Sequence, residues 1–228
     1  MKDCWGRALL DYYKGKQQDQ LILHTSFGDP ETVPLEVFFR SPANFSDLEQ
    51  YAIELCQGPV LDIGAGTGCH ALALQEKEVS VTALERSPGA CEVMRLTGIQ
   101  KIVQEDIYSF TGTGFQTALM MMNGLGLAGT LEQLPQLLEH VFSTLTHRGQ
   151  ILADSCDVSY LYYDQPMPLT KFYGEQQYSY EYQGYRDEPF SWLFLDIHQL
   201  KQEAAKVFLK VQILYEEEGQ YLARITRS

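Results

Sequence analysis

Residues 60–68 read VLDIGAGTG. A short apolar run that suits a buried strand passes straight into Gly64, Gly66 and Gly68, and a helical pattern, GCHALALQEK, follows. Glycine loses more backbone freedom on folding than any other residue, so a plain strand-to-helix turn has no use for three of them. They suit a place where the chain turns tightly, a ligand comes close to the backbone, and a helix N-terminus offers free N–H donors. The motif therefore predicts a strand–loop–helix unit built around a bound molecule.

The pattern around it repeats. SVTALE reads as a second strand, KIVQED as a third, TALMMMN as a fourth and GQILADS as a fifth. Helices separate them. One starts at Ser87-Pro88 and stops at Gly98; another, PQLLEHVFSTL, starts at Pro135 after a turn at Thr130. Ser suits the N-cap, Pro the first turn and Gly the end of a helix. Upstream, NFSDLEQYAIELCQG is helical, with Ser46 and Glu49 in capping-box spacing and Gly58 beyond the last turn. Near-continuous apolar strands alternating with helices predict an α/β fold with a doubly wound, mostly parallel sheet covered on both faces. HQLKQEAAKVF and then LKVQILYEEEGQYLARITRS predict a last helix and a closing hairpin.

Two stretches break the alternation. Residues 1–45 combine the amphipathic RALLDYYKGK with a segment rich in Pro, Gly and aromatics, which predicts an N-terminal cap. Residues 157–197 hold a tyrosine-rich run, QYSYEYQGYRDEPFSWLFLD, whose alternation predicts an inserted antiparallel hairpin. With no linker or repeat in sight, residues 1–228 are expected to form one domain: cap, core at 46–156, insertion, and closing elements at 198–228.

Charge and cysteines narrow the function. A net charge of −13, with no Lys/Arg cluster, disfavours nucleic acid and anionic membranes as partners. The five cysteines are scattered without a C-x-x-C pair, which disfavours zinc and disulfides. No run reaches the roughly 20 apolar residues of a membrane span, and the first residues lack a signal-peptide core, so a cytoplasmic protein is expected. The loop spacing is G-x-G-x-G rather than the G-x-G-x-x-G of dinucleotide sites. Asp62, just before the glycines, disfavours a pyrophosphate and favours a ligand with an ammonium or sulfonium.

Residues 60–68 resemble the first motif of the class I S-adenosylmethionine (SAM)-dependent methyltransferases, and the likeness runs well over residues 46–156. It implies a seven-stranded Rossmann-like fold with SAM as cofactor. Glu85 then falls where the family has an acid for the ribose hydroxyls, with Arg86 beside it. Asp106 falls where an acid accepts from the adenine amino group, with Ile107 against the ring. The implied cofactor set is Asp62, Gly64, Ala65, Gly66, Gly68, Glu85, Arg86, Asp106, Ile107 and Asn123, with Tyr12 of the cap covering the cofactor.

The fourth strand end, by that resemblance, lies next to the transferred methyl. Relatives that act on nucleobase or glutamine amino groups carry [N/D/S]-P-P-[Y/F/W] there, whereas this chain has Asn123-Gly124-Leu125-Gly126. A small-molecule acceptor methylated on O or N is therefore expected, and no metal, because Asn123 offers no acid. Asn123 and His24 are the candidate catalytic residues, and Arg40 and Asp154 the candidate acceptor contacts. The tyrosines of 160–185 are expected to line an acceptor pocket or a homodimer face. The alternatives are an NAD(P)-dependent oxidoreductase and a SAM-binding scaffold without catalysis.

Overall fold

The computed structural model describes residues 3–164 and 166–227. Helix α1 (Cys4–Tyr13) comes first, then strands β1 (Ile22–Thr25) and β2 (Glu31–Thr32). Helix α2 (Asp47–Leu55) carries the expected capping box: Glu49 N–H donates to Ser46 Oγ, and Ser46 N–H donates to the Glu49 carboxylate. The alternating part follows as β3 (Val60–Ile63), α3 (Cys69–Glu76), β4 (Val81–Glu85), α4 (Pro88–Thr97), β5 (Ile102–Gln104), β6 (Phe115–Met120), α5 (Leu134–Thr144) and β7 (Leu145–Cys156). Ser87 caps α4 and Gly98 ends it in the left-handed region at φ 90°. The chain finishes with β8 (Glu175–Tyr182), β9 (Tyr185–Arg186), β10 (Phe190–Leu193), α6 (Ile197–Lys206), β11 (Leu209–Glu217) and β12 (Gln220–Arg227).

Seven strands form the main sheet in the order β11-β12-β7-β6-β3-β4-β5. The five strands from β3 to β7 are parallel, and β12 runs antiparallel to β7 and β11. Successive residues point to opposite faces. Leu61, Ile63, Ala118 and Met120 pack with α5 and α6 on one side, through Leu138 and Leu200 among others. Val60, Leu119 and Leu152 pack with α2, α3 and α4 on the other, against Ala52, Leu74 and Met94. Each buried side chain of leucine size contributes about 1.5–3 kcal/mol. Two-sided burial is why these strands read as continuous apolar runs. No helix among the described residues is long and apolar enough to cross a membrane.

The other strands form a second sheet, β10-β8-β1-β2, with β9 on β8. The expected hairpin is present, with Phe190 opposite Tyr178. Its other edge pairs with the cap: Leu23 of β1 lies opposite Tyr180. Cap and insertion thus share one antiparallel sheet. Helix α1 ties it to the main sheet. Ala8 and Leu9 pack with Tyr182 of β8 and with Ala90 and Val93 of α4. A Cβ at Gly89 would lie 2.3 Å from the Gly6 backbone, so α1 and α4 touch main chain to main chain. Asp3 locks the contact, accepting from Gly6 N–H, Gly89 N–H and Ser87 Oγ.

The fourth strand is shorter than the sequence suggests. It ends at Met120, and Met122 and Asn123 then take left-handed conformations at φ 60° and 61°. Two consecutive non-glycine residues there cost about 1–2 kcal/mol each.

Candidate functional site

The loop between β3 and α3 bends through Gly64 (φ 70°), Gly66 (φ 59°) and Gly68 (φ 84°). At Gly68 a Cβ would also meet Met94 Cγ at 2.9 Å, so glycine is required twice over. The Gly66 N–H donates to Glu85 Oε2 at 3.0 Å, which draws the loop toward the end of β4. Ser87 N–H donates to the other oxygen of Glu85 at 2.8 Å. Burial raises the Glu85 pKa and these N–H donors oppose the rise. Each carboxylate oxygen keeps a second lone pair for a ligand hydroxyl.

Asp62 stands on β3 immediately before the loop. Its side chain is buried, and Oδ2 has no hydrogen-bond partner in the protein. Burial pushes its pKa up to about 6, with the neighbouring His70 charge working against the rise. His70 opens α3, with Nε2 2.9 Å from Glu49 Oε1. Glu49 also takes both Arg40 guanidinium nitrogens, at 2.6 and 2.7 Å. Burial opposes its charge, but the His70 and Arg40 hydrogen bonds hold Glu49 well below the usual carboxylate range. His70 rises to about 10: burial works against the imidazolium, and the contacts to Cys69 and Glu49 outweigh it.

Past β5, Asp106 Oδ1 accepts from Tyr108 N–H at 3.0 Å, and its other oxygen lies 3.6 Å from Arg86. Both partners are about half exposed, so that pair contributes little. Ile107 is buried beside them.

Past β6, the Asn123 amide is engaged at both its oxygen and its nitrogen. Ser155 Oγ donates to its Oδ1 at 2.8 Å, and its Nδ2 donates to the Leu193 carbonyl at 3.3 Å. The next N–H, that of Gly124, donates to Asp154 Oδ1 at 3.2 Å. Burial pushes Asp154 up to about 6, against the pull of the Asn123 and Gly124 N–H groups. Asn123 therefore braces the strained turn between β7 and the end of β10.

The glycine loop, Asp62, Glu85, Asp106 and the 123–126 turn thus lie at the carboxyl ends of adjacent parallel strands, where open α/β sheets bind ligands. Three expected residues lie elsewhere. His24 shares a face of β1 with Ile22 and, across the register, pairs with Glu181 at 2.8 Å on the side of the second sheet away from Tyr180. Arg40 is spent on Glu49. Tyr12 packs on Phe39 with ring centroids 5.0 Å apart. The ring at the glycine loop belongs to Trp5, with Cη2 3.6 Å from the Gly66 Cβ position. Sequence reasoning passed over Trp5. Its one available signal was a bulky aromatic at the start of an amphipathic helix.

No protein-family model and no curated protein matches the chain. Solved structures do. A SAM-dependent methyltransferase from Bacteroides fragilis, solved in complex with S-adenosylhomocysteine, is 35% identical with a TM-score of 0.91, covering 100% of this chain and 95% of that one. The CcbJ methyltransferase from Streptomyces caelestis (13% identity, TM-score 0.65, 85% and 95% covered) shares the fold. So does the sugar N-methyltransferase KedS8 from Streptoalloteichus (15%, 0.60, 89% and 96%). The chain belongs to the SAM-dependent methyltransferases. It is an enzyme with SAM as its cofactor, and nothing in the comparisons favours a nicotinamide-dependent oxidoreductase.

Proposed function

We propose that the glycine loop and its flanking acids hold SAM, and that the enzyme methylates O or N of a small molecule. The observation that carries this is the unpaired, buried Oδ2 of Asp62 beside a glycine loop tied to Glu85. An uncompensated buried carboxylate is costly. A cationic ligand group removes that cost, and SAM carries both an ammonium and a sulfonium. Glu85 has lone pairs for the ribose hydroxyls, and Asp106 with Ile107 offers an acceptor and an apolar face for the adenine. Gly64, Ala65, Gly66 and Gly68 let the backbone approach. The residues present fit the cofactor.

Bound SAM supplies an electrophilic methyl group on its sulfonium. The chain's contribution is to hold an acceptor atom in line with that methyl, which by itself removes much of the barrier. The rigid turn at Met122–Gly126 forms the floor at that point. We assign no general base: His24 faces away, and the Asn123 side chain is an amide, which takes up no proton at neutral pH. An acceptor that reacts as a neutral amine needs none. Arg86 and Asp154 flank the site, Asp154 by holding the turn. The acidic net charge supports a small molecule over nucleic acid.

Calorimetry with SAM and S-adenosylhomocysteine tests this reading, with NADH as control. Micromolar binding to wild type, weakened about tenfold or more in Glu85→Ala, is the expected result. A folded protein that binds neither SAM species would refute the assignment of the pocket.

A further inference from the structure

The second sheet turns a row of aromatic rings toward the main sheet, and the cofactor contacts leave that row unused. Resting on the methyltransferase reading above, we propose that this row is the acceptor-binding wall and that it selects a flat aromatic acceptor lacking phosphate or carboxylate groups. Tyr178 and Tyr180 are two residues apart on β8 and share a face. Phe190 lies opposite Tyr178 and Trp192 opposite Gln176, which puts both on that face. Ring centroids follow one another at 6.4 Å from Trp5 to Tyr180, 5.7 Å to Phe190 and 6.2 Å to Trp192.

The ends of the row locate it. Trp5 stands at Gly66, after β3. Trp192 stands at Gly126, after β6, where a Cβ would lie 2.1 Å from the indole Nε1. The row therefore spans the carboxyl ends of the two central strands. At one end Tyr182 is fully buried under α1, its hydroxyl donating to Asp11. Between the ends, Tyr178, Tyr180 and Phe190 are only partly buried. Trp5 adds a buried Nε1–H with no partner in the protein, a donor for a polar atom of a ring-bearing molecule.

Charge narrows the class. Leu23 and Thr25 of β1 and Gln176 of β8 complete this face, and none of these side chains is charged. Burial pushes the Tyr178 and Tyr180 hydroxyls up to about 12, so both stay neutral. The charged groups on the same side lie at its ends: Glu31 opposite Leu23, Asp11 at the Tyr182 hydroxyl, and Arg7 over the Tyr185 ring. Between those ends, no described residue of this face is a cation that a phosphate or carboxylate could meet, whereas aromatic faces accept flat rings and cations.

Saturation-transfer NMR tests this with 2-naphthylmethylamine, 2-naphthoate and glucosamine as probes, each with and without S-adenosylhomocysteine. The expected result is transfer to naphthylmethylamine about fivefold or more above that to naphthoate or glucosamine. That transfer should fall about fivefold in Phe190→Ala and Tyr178→Ala while S-adenosylhomocysteine affinity stays within about twofold of wild type. Phe190→Leu, which keeps bulk without the ring, serves if the alanine variant does not fold. Equal transfer to naphthoate or glucosamine, or transfer untouched by the variants, overturns the proposal. Failure of S-adenosylhomocysteine to bind wild type is a separate outcome: it removes the cofactor assignment, while the probe preference measured without it still decides the aromatic wall.

Discussion

In the main sheet β3 pairs with β4 across a single helix, and the inner strands are buried on both faces, with β5 at the edge only partly covered. In the second sheet β1 pairs with β8 from far along the chain, as His24 and Glu181 show at 157 residues' separation; β1 and β8 are half-buried, and β2 and β9 are exposed. The first sheet is held by volume: leucines, valines and alanines packed to an interior. The second is held by edges and anchors, namely β1 on β8, α1 backed onto α4, and Trp192 on Gly126. The cofactor half is therefore expected to be rigid. The aromatic half is free to change its side chains with the acceptor while keeping its frame.

Substitutions can break that contrast. Leu61→Ala, in the centre of the main sheet, should cost about 2–5 kcal/mol in urea unfolding, since it leaves a cavity between packed helices. Tyr178→Ala, half-exposed in the second sheet, should cost clearly less. Equal losses would mean that the second sheet is as tightly built as the first.

pH sharpens the same contrast, because the raised acids lie at the main-sheet site. Asp62 titrates near 6 in the folded chain against 3.8 in the unfolded one, so the folded state binds the extra proton. Its contribution is fully present below about pH 4 and is lost as pH rises to about 6, at most about 3 kcal/mol. Asp154 acts in the same direction. Glu49, held low, acts oppositely and loses its contribution as pH falls below the usual carboxylate range. Asp62→Asn should flatten the decline between pH 4 and 6 in thermal unfolding and weaken SAM binding. Near pH 6, SAM binding should also release protons, which calorimetry in buffers of different ionisation enthalpy reads directly.

Gly89→Ala tests the link between the halves. The new methyl would strike the Gly6 backbone, so a loss of about 1–3 kcal/mol is expected. Limited proteolysis should then cut near α1 before it cuts the core. The smallest effect is expected at the strained turn. Asn123→Ala removes the bonds to Ser155 and Leu193 and should cost about 1–2 kcal/mol. Asn123→Gly relieves the left-handed strain while losing the same bonds, and should cost less. If both variants keep full activity, the turn has no part in placing the acceptor.

Legibility in the sequence followed how local the physics was. VLDIGAGTG, the Ser46–Glu49 capping box and the Ser87-Pro88…Gly98 helix each carry their signal within a dozen residues, and each stands as expected. Glu85 and Asp106 were singled out because they sit at strand ends after that motif. Asn123 was singled out for its place, but its amide serves the turn, since a carbonyl from β10 arrives beside it. His24 and Tyr12 were offered as free groups because Glu181 and Phe39 lie far from them in sequence; Arg40 lies nine residues from Glu49, but the sequence assigned that acid to the capping box alone.

By itself, then, the sequence determined the main sheet, its helices and its cofactor chemistry, because period, caps and glycine spacing are written in neighbouring residues. Only the tertiary structure decided that the cap and the tyrosine-rich insertion form one sheet, and that Trp5 rather than Tyr12 meets the glycine loop. Only it decided which acids are paired and which are left alone. Strand pairing and side-chain partnering between distant segments depend on register and on the closeness of backbones, and neither leaves a mark in either segment alone.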